Sequence, residues 1–198
     1  MLKSLADALD RILAAMDRVS LWLARLGGLL ILATVAMVTL EIITRGIWGW
    51  SLGASTEISG YVLAISASWS FAFTLLRKAH IRIDVVYVRL PATIRSLLDL
   101  LALSGLGLFC FFVVGSAIKV ASSSYAGGSL ANTPLQTPLW IPQWMWAAGL
   151  IWFSLAVTVL LLRVLVALFM ADTESAHRVA GSATLDEQIS AEIQGDEA

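Results

Sequence analysis

Apolar residues along this chain gather into four long runs separated by shorter polar segments. The runs cover about residues 21–44, 57–77, 96–119 and 140–169. Each has roughly the 20 residues that a helix needs to cross the hydrocarbon core of a bilayer. Helices are expected because lipid offers no hydrogen-bond partner to exposed backbone groups. The pattern predicts an all-α integral membrane protein whose membrane domain, residues 21–170, has four transmembrane helices.

The segments that flank this domain have different patterns. In residues 1–20, apolar side chains recur at helical spacing and charged ones occupy the remaining face, which predicts an amphipathic helix in the membrane interface. A docking helix for a partner is the alternative. The first apolar run starts too late, is too long and has no following cleavage site for a signal peptide. Residues 171–198 contain half of the chain's 14 acids and are predicted to form a mobile cytoplasmic tail.

Lysine and arginine are distributed unevenly between the two sides of the predicted membrane domain. Eleven of the 13 bases lie in the N-terminal segment, in the loop between spans two and three, or near the C-terminus. The positive-inside rule therefore predicts that both termini are cytoplasmic. Tryptophans agree, because five of the eight cluster at the opposite ends of spans one and four, as an interfacial belt would. They are Trp48, Trp50, Trp140, Trp144 and Trp146.

Composition excludes several kinds of chemistry. The two histidines, His80 and His177, lie outside the spans, so a haem bundle with paired histidine ligands is not expected. The single cysteine, Cys110, excludes an internal disulfide and a cysteine-rich zinc site. Two acids, Glu41 and Asp99, lie about a turn from a span end, where we expect water to reach them. No enzyme, cofactor or metal site is predicted.

Polar residues at the ends of spans one and two form a candidate clamp. Glu41 and Arg45 are four residues apart on one helix face and can form an ion pair. Glu57 opens span two after a short loop, so it can also approach Arg45. One interpretation is a structural clamp on the outer loop, and the other is contact with another protein.

Span two also has a strip of small residues, Gly60, Ala64, Ser68 and Ala72, spaced four apart on one helix face. In lipid, such strips let helix backbones approach closely. The strip can pack within this chain or against a larger membrane partner. The partner is the interpretation that we favour.

The segment LLRKAHIRIDVV that follows span two resembles the hallmark of a known family. It is similar to the DctQ-like small membrane subunit of tripartite ATP-independent periplasmic (TRAP) transporters. The segment TPLWIPQW before span four is also similar, and the resemblance covers roughly residues 20–170. The residues that match the family pattern are Arg45, Glu57, Arg77, His80, Ile81, Arg82, Ile83 and Asp84.

The resemblance implies a function that the residues alone do not. In such systems a periplasmic binding protein captures an organic anion, commonly a carboxylate. A large permease subunit then imports the anion with sodium, and the small subunit braces the permease. The absence of charge from the middle of every span fits a scaffold that binds neither ion nor substrate. Two alternatives are a stand-alone membrane enzyme or redox carrier and an assembly factor for an unrelated membrane complex.

Overall fold

The computed structural model describes residues 2–49, 53–78 and 91–170 of the 198-residue chain. This part of the chain contains four helices, and each is long and apolar enough to cross a membrane. The helices are α1 (Leu2–Trp48), α2 (Ser55–Leu76), α3 (Ala92–Ala126) and α4 (Trp140–Phe169). The predicted fold class, an all-α protein with four potential membrane spans, is confirmed.

Glycine and proline set the ends of several helices. Gly49 follows α1 with a φ of 67°, and its N–H donates to the Arg45 carbonyl, so it ends the helix in the left-handed conformation that glycine adopts without strain. Pro91 immediately precedes α3. Pro142 lies in the first turn of α4. A backbone N–H there would have no acceptor within the helix, so the N–H that proline lacks costs no helical hydrogen bond. Glycine therefore ends α1, and proline marks the starts of α3 and α4.

Successive helices run in opposite directions, which gives the bundle two ends. The Trp48 end contains the last turn of α1, the first turn of α2 and the loop that joins α3 to α4. The Arg77 end contains the start of α3 and the ends of α2 and α4. At the Trp48 end, Tyr125 and Trp140 meet edge to face with their ring centroids 5.5 Å apart.

The first helix differs from the sequence-based division of the chain. The amphipathic segment 1–20 and the first span form one continuous 47-residue helix, without a break at residue 20. No proline or glycine interrupts residues 2–26, so the backbone hydrogen bonds continue where the side-chain pattern changes. One face of the segment also packs on the bundle, since Ala6, Leu9 and Met16 are buried. At 1.5 Å per residue, α1 is about 70 Å long, more than twice the thickness of a bilayer core.

The last helix forms the centre of the bundle. α4 contacts α1, α2 and α3, whereas α3 packs mainly on α4 alone. Twelve residues of α4 are buried, including Phe153, Val157 and Val164. Phe153 also meets Phe71 of α2, with ring centroids 5.6 Å apart. The core thus follows one side of α4, and the other helices are arranged around it.

α2 and α4 approach most closely at Gly149. A Cβ atom added there would lie 2.5 Å from the Ser68 Oγ and 2.8 Å from the Ser68 carbonyl carbon, well inside van der Waals contact. Beside this contact, the Trp69 indole N–H donates to the Met145 carbonyl at 3.0 Å. Only glycine fits at residue 149 with the two helices at this separation.

Small and polar residues also join α1 to its neighbours. The Ser66 hydroxyl of α2 donates to the Gly27 carbonyl of α1 at 3.0 Å, and both residues are buried. The Trp152 indole of α4 donates to the hydroxyl of the fully buried Ser20 at 2.9 Å. Such bonds between helices satisfy polar groups that lipid cannot.

Replacing Gly149 with alanine tests the close contact between α2 and α4. We expect Gly149→Ala to destabilise the chain by about 1–3 kcal/mol, because the added methyl forces the helices apart. Gly60→Ala is the matched control, since no atom lies within 4 Å of a Cβ added at Gly60. Thermal unfolding in detergent measures both. A Gly149→Ala variant as stable as Gly60→Ala would contradict the described packing.

Candidate functional site

At the Trp48 end, Glu57 joins α2 to the loop between α3 and α4. One oxygen of its carboxylate accepts a hydrogen bond from the Tyr61 hydroxyl at 2.9 Å, and the other accepts one from the Thr133 hydroxyl. The loop is closed by its own backbone bonds, from Ala131 N–H to the Thr137 carbonyl and from Leu139 N–H to the Ser129 carbonyl. Glu57 therefore attaches a folded loop to the first turn of α2.

The arrangement of the predicted clamp differs from the sequence-based interpretation. Arg45 lies exposed in the last turn of α1, where a positive charge is favoured by the helix dipole. The side-chain hydrogen bonds described for Glu57 go to Tyr61 and Thr133 instead of Arg45. The expectation that water reaches Glu41 and Asp99 is wrong, because their side chains turn into the bundle and both residues are buried.

At the Arg77 end, Arg77 forms a bidentate ion pair with Asp17 of α1. Its Nε and Nη2 atoms each lie 2.9 Å from a carboxylate oxygen of Asp17. The guanidinium also lies 5.7 Å from the centroid of the Phe73 ring. The Arg77 side chain is 52% exposed, so the pair positions α1 against α2 but adds little stability.

A second ion pair attaches the first turns of α1 to α4. The Arg163 Nε and Nη2 atoms donate to the two carboxylate oxygens of Asp10, at 2.7 Å and 3.1 Å. The Arg163 side chain is only 9% exposed. A buried guanidinium is costly without a counter-charge, so Asp10 offsets the burial of Arg163.

Sequence reasoning did not identify the partners in these contacts. Arg163 stands out as a charge in an apolar run, and intramembrane charges need partners. That signal points to a missing acid but not to Asp10, which is 153 residues away. Thr133 has no such signal, because a threonine in a polar loop is unremarkable.

The strip of small residues in α2 has two parts in the structure, one buried and one exposed. Ser68 and Ala72 are buried within the chain, and Ser68 faces Gly149 of α4. Gly60 and Ala64 are exposed, and Ala64 lines a cavity of about 160 Å³. Ser68 and Ala72 therefore pack within this chain, whereas the favoured interpretation, contact with a membrane partner, stays a prediction for Gly60 and Ala64. Helical spacing identified the face but not the neighbour that covers each part of it.

Five residues of the family pattern lie outside the described residues: His80, Ile81, Arg82, Ile83 and Asp84. The acidic segment 171–198 lies outside them as well. Within residues 2–49, 53–78 and 91–170, no group of three or more His, Cys, Asp or Glu side chains is placed to share a metal ion.

These features define a class of protein: a multi-pass helical membrane protein whose charged side chains make their described contacts towards the two ends of the bundle. Comparison with known protein families identifies the family. Residues 34–169, more than half of the chain, match the family described as tripartite ATP-independent periplasmic transporters, DctQ component. The chain belongs to this family and is a small component of a TRAP transporter. No curated protein and no solved structure matches it.

Replacing Glu57 tests the attachment of the loop to α2. Glu57→Ala removes the acceptor for Tyr61 and Thr133, so we expect residues 129–139 to open more often and their amides to exchange severalfold faster. Thr56→Ala, at an exposed neighbour, is the matched control. Hydrogen–deuterium exchange of both variants decides it. Identical exchange of this loop in Glu57→Ala and the parent protein would show that Glu57 does not attach it.

The two ion pairs at the Arg77 end differ in burial, so replacing the acid of each pair should lower the stability of the chain by different amounts. We expect Asp10→Asn to destabilise the chain by about 1–3 kcal/mol, because it leaves the buried Arg163 charge uncompensated. Asp17→Asn should cost less than about 1 kcal/mol, since Arg77 is half exposed. Thermal unfolding compares the two. A larger loss for Asp17→Asn would refute this ranking.

Proposed function

We propose that this chain is the small, non-catalytic scaffold subunit of a TRAP-type secondary transporter. In this proposal it braces a large permease subunit that imports an organic anion, a carboxylate, together with sodium. A periplasmic binding protein delivers the anion. The observation that supports the role most directly is the family match over residues 34–169, which includes the last third of α1 and all of α2, α3 and α4.

The distribution of charge supports a bracing role over a transporting one. The middle of each helix, at residues 26–40, 58–76, 100–118 and 142–162, has no Asp, Glu, Lys, Arg or His. A sodium or carboxylate path through a membrane protein needs polar or charged groups at that depth. The ion pairs described above lie at the Arg77 end, where they connect α1 to α2 and α4.

We propose an inner-membrane location with the Arg77 end in the cytoplasm. Arg11, Arg18, Arg77 and Arg163 all belong to that half of the bundle, as the positive-inside rule requires. Trp48, Trp140 and Trp144 lie at the opposite end, which would then face the periplasm. In this orientation Glu57 and its loop face the compartment of the binding protein.

The site residues have different roles in this proposal. Glu57, Arg45 and Arg77 maintain the ends of the bundle, and we assign the same structural or interface role to His80, Arg82 and Asp84 from the family pattern. Ser68 and Ala72 serve internal packing, because they are buried in this chain. Gly60 and Ala64 are the part of the strip that remains available to a helix of the large subunit.

Co-purification with a large membrane subunit tests the proposal. The parent chain should purify in mild detergent as a complex with a much larger membrane protein. Ser68→Leu should fail to fold, because leucine does not fit opposite Gly149. Ala64→Leu should fold but lose its partner, because the added bulk prevents close helix approach.

Different outcomes would contradict the scaffold role and the assigned contact surface. A parent chain that folds and purifies without any large membrane partner from its native membrane would refute the scaffold role. An Ala64→Leu variant that assembles normally would exclude only the exposed half of the strip as the contact surface.

A further inference from the structure

The N-terminal part of α1 has a row of exposed arginines. Arg11, Arg18 and Arg25 are spaced seven residues apart and are all exposed. Residues at this spacing differ by only about 20° around a helix, so the three side chains lie on one face. The row extends about 21 Å along the helix axis at 1.5 Å per residue.

Two of the three acids of the same segment face the bundle. Asp10 and Asp17 are bound to Arg163 and Arg77, as described above, so their charges are offset by other helices. The third acid, Asp7, is exposed on the face of the arginines, and its backbone carbonyl accepts a hydrogen bond from the Arg11 Nε at 3.3 Å. With three arginines and one acid, this outward face is net basic.

An exposed apolar row runs beside the arginines. Leu5, Ile12, Val19 and Leu26 are also spaced seven apart, and each is 44–47% exposed. Trp22 lies nearby and is 63% exposed, with the Arg25 guanidinium 5.6 Å from its ring centroid. Adjacent basic and apolar rows on one helix are typical of segments that lie at a membrane surface.

The length of α1 indicates where this surface lies. Exposed apolar residues occur along α1 from Leu5 to Ile47, a distance of about 63 Å. The hydrocarbon core accommodates about 30 Å of a perpendicular helix. Part of this apolar surface therefore lies outside the core unless α1 is strongly tilted. Arg18 adjoins Asp17, which pairs with Arg77 at the end of α2, so Arg11 and Arg18 lie near the end of the bundle, where arginine side chains can reach phosphates while their stems contact acyl chains. Arg25 lies about 10 Å further along α1, close to Gly27, which contacts Ser66 in the middle of α2.

We propose that the outward face of residues 11–19 binds anionic phospholipid headgroups in the leaflet at the Arg77 end. Arg11 and Arg18 contact the lipid phosphates, for which the planar guanidinium is well suited. Ile12 and Val19 insert among the upper acyl chains. This face anchors the first helix to the membrane surface, independently of whether the chain serves a TRAP permease.

Lipid titration of the purified full chain tests the proposal. In a neutral detergent, the chain should retain phosphatidylglycerol in preference to phosphatidylcholine, as counted by native mass spectrometry. The double variant Arg11→Gln/Arg18→Gln should weaken phosphatidylglycerol binding by roughly fivefold per arginine, on the order of 25-fold in total. The control Lys119→Gln removes an exposed base elsewhere and should retain the preference. An unchanged preference in the double variant, or none in the parent chain, would overturn the proposal.

Crosslinking in membranes locates the bound lipid and tests the competing occupant. With a photoreactive side chain in place of Ile12 in vesicles of phosphatidylglycerol and phosphatidylcholine, the lone chain and any complex that it forms should both capture lipid. Capture of a partner protein at this residue in the complex, without lipid, would overturn the proposal and assign this face to a protein contact. Leu9, which is buried, gives the background level of capture.

Discussion

The contact between α2 and α4 at Gly149 is the constraint on which the rest of this bundle depends. Without a Cβ atom at Gly149, Ser68 and Trp69 can approach the backbone of α4, and the Trp69 indole can reach the Met145 carbonyl. The opposite side of α2 then presents Ser66 to Gly27 of α1. In lipid, where apolar burial gives helices no advantage, such close packing and hydrogen bonding between helices are what favour association.

The charged contacts lie towards the ends of a bundle whose middle has no charged residue. The ion pairs with Asp10 and Asp17 attach the N-terminal third of α1 to the bundle, while Glu57 fixes the loop at the other end. The buried Arg163 needs its acid more than the half-exposed Arg77 does. This division suits a scaffold, because α1, α2 and α4 are fixed to one another while α3 packs mainly on α4 alone.

Much of the fold could be predicted from the sequence, whereas the pairing of residues could not. Apolar runs of sufficient length predict spans directly, because the bilayer sets their length. The continuity of α1 through residue 20 was missed, since a change in side-chain pattern does not break a helix. Glu57 and Thr133 are 76 positions apart in the sequence, and the periodicity of apolar residues cannot predict a contact between such distant positions. The strip of small residues shows the same limit. Its spacing places Ala64 and Ser68 on one helix face, but only the packing shows that Ser68 is buried against α4 and that Ala64 is exposed.

Uptake by reconstituted vesicles tests the central claim, that this chain braces a transporter and does not itself transport. Vesicles would contain this chain alone, the large membrane subunit alone, or both, with a sodium gradient and a carboxylate-loaded binding protein outside. We predict sodium-driven uptake only when both chains are present. Uptake by this chain alone would contradict the account, as would full uptake by the large subunit without it.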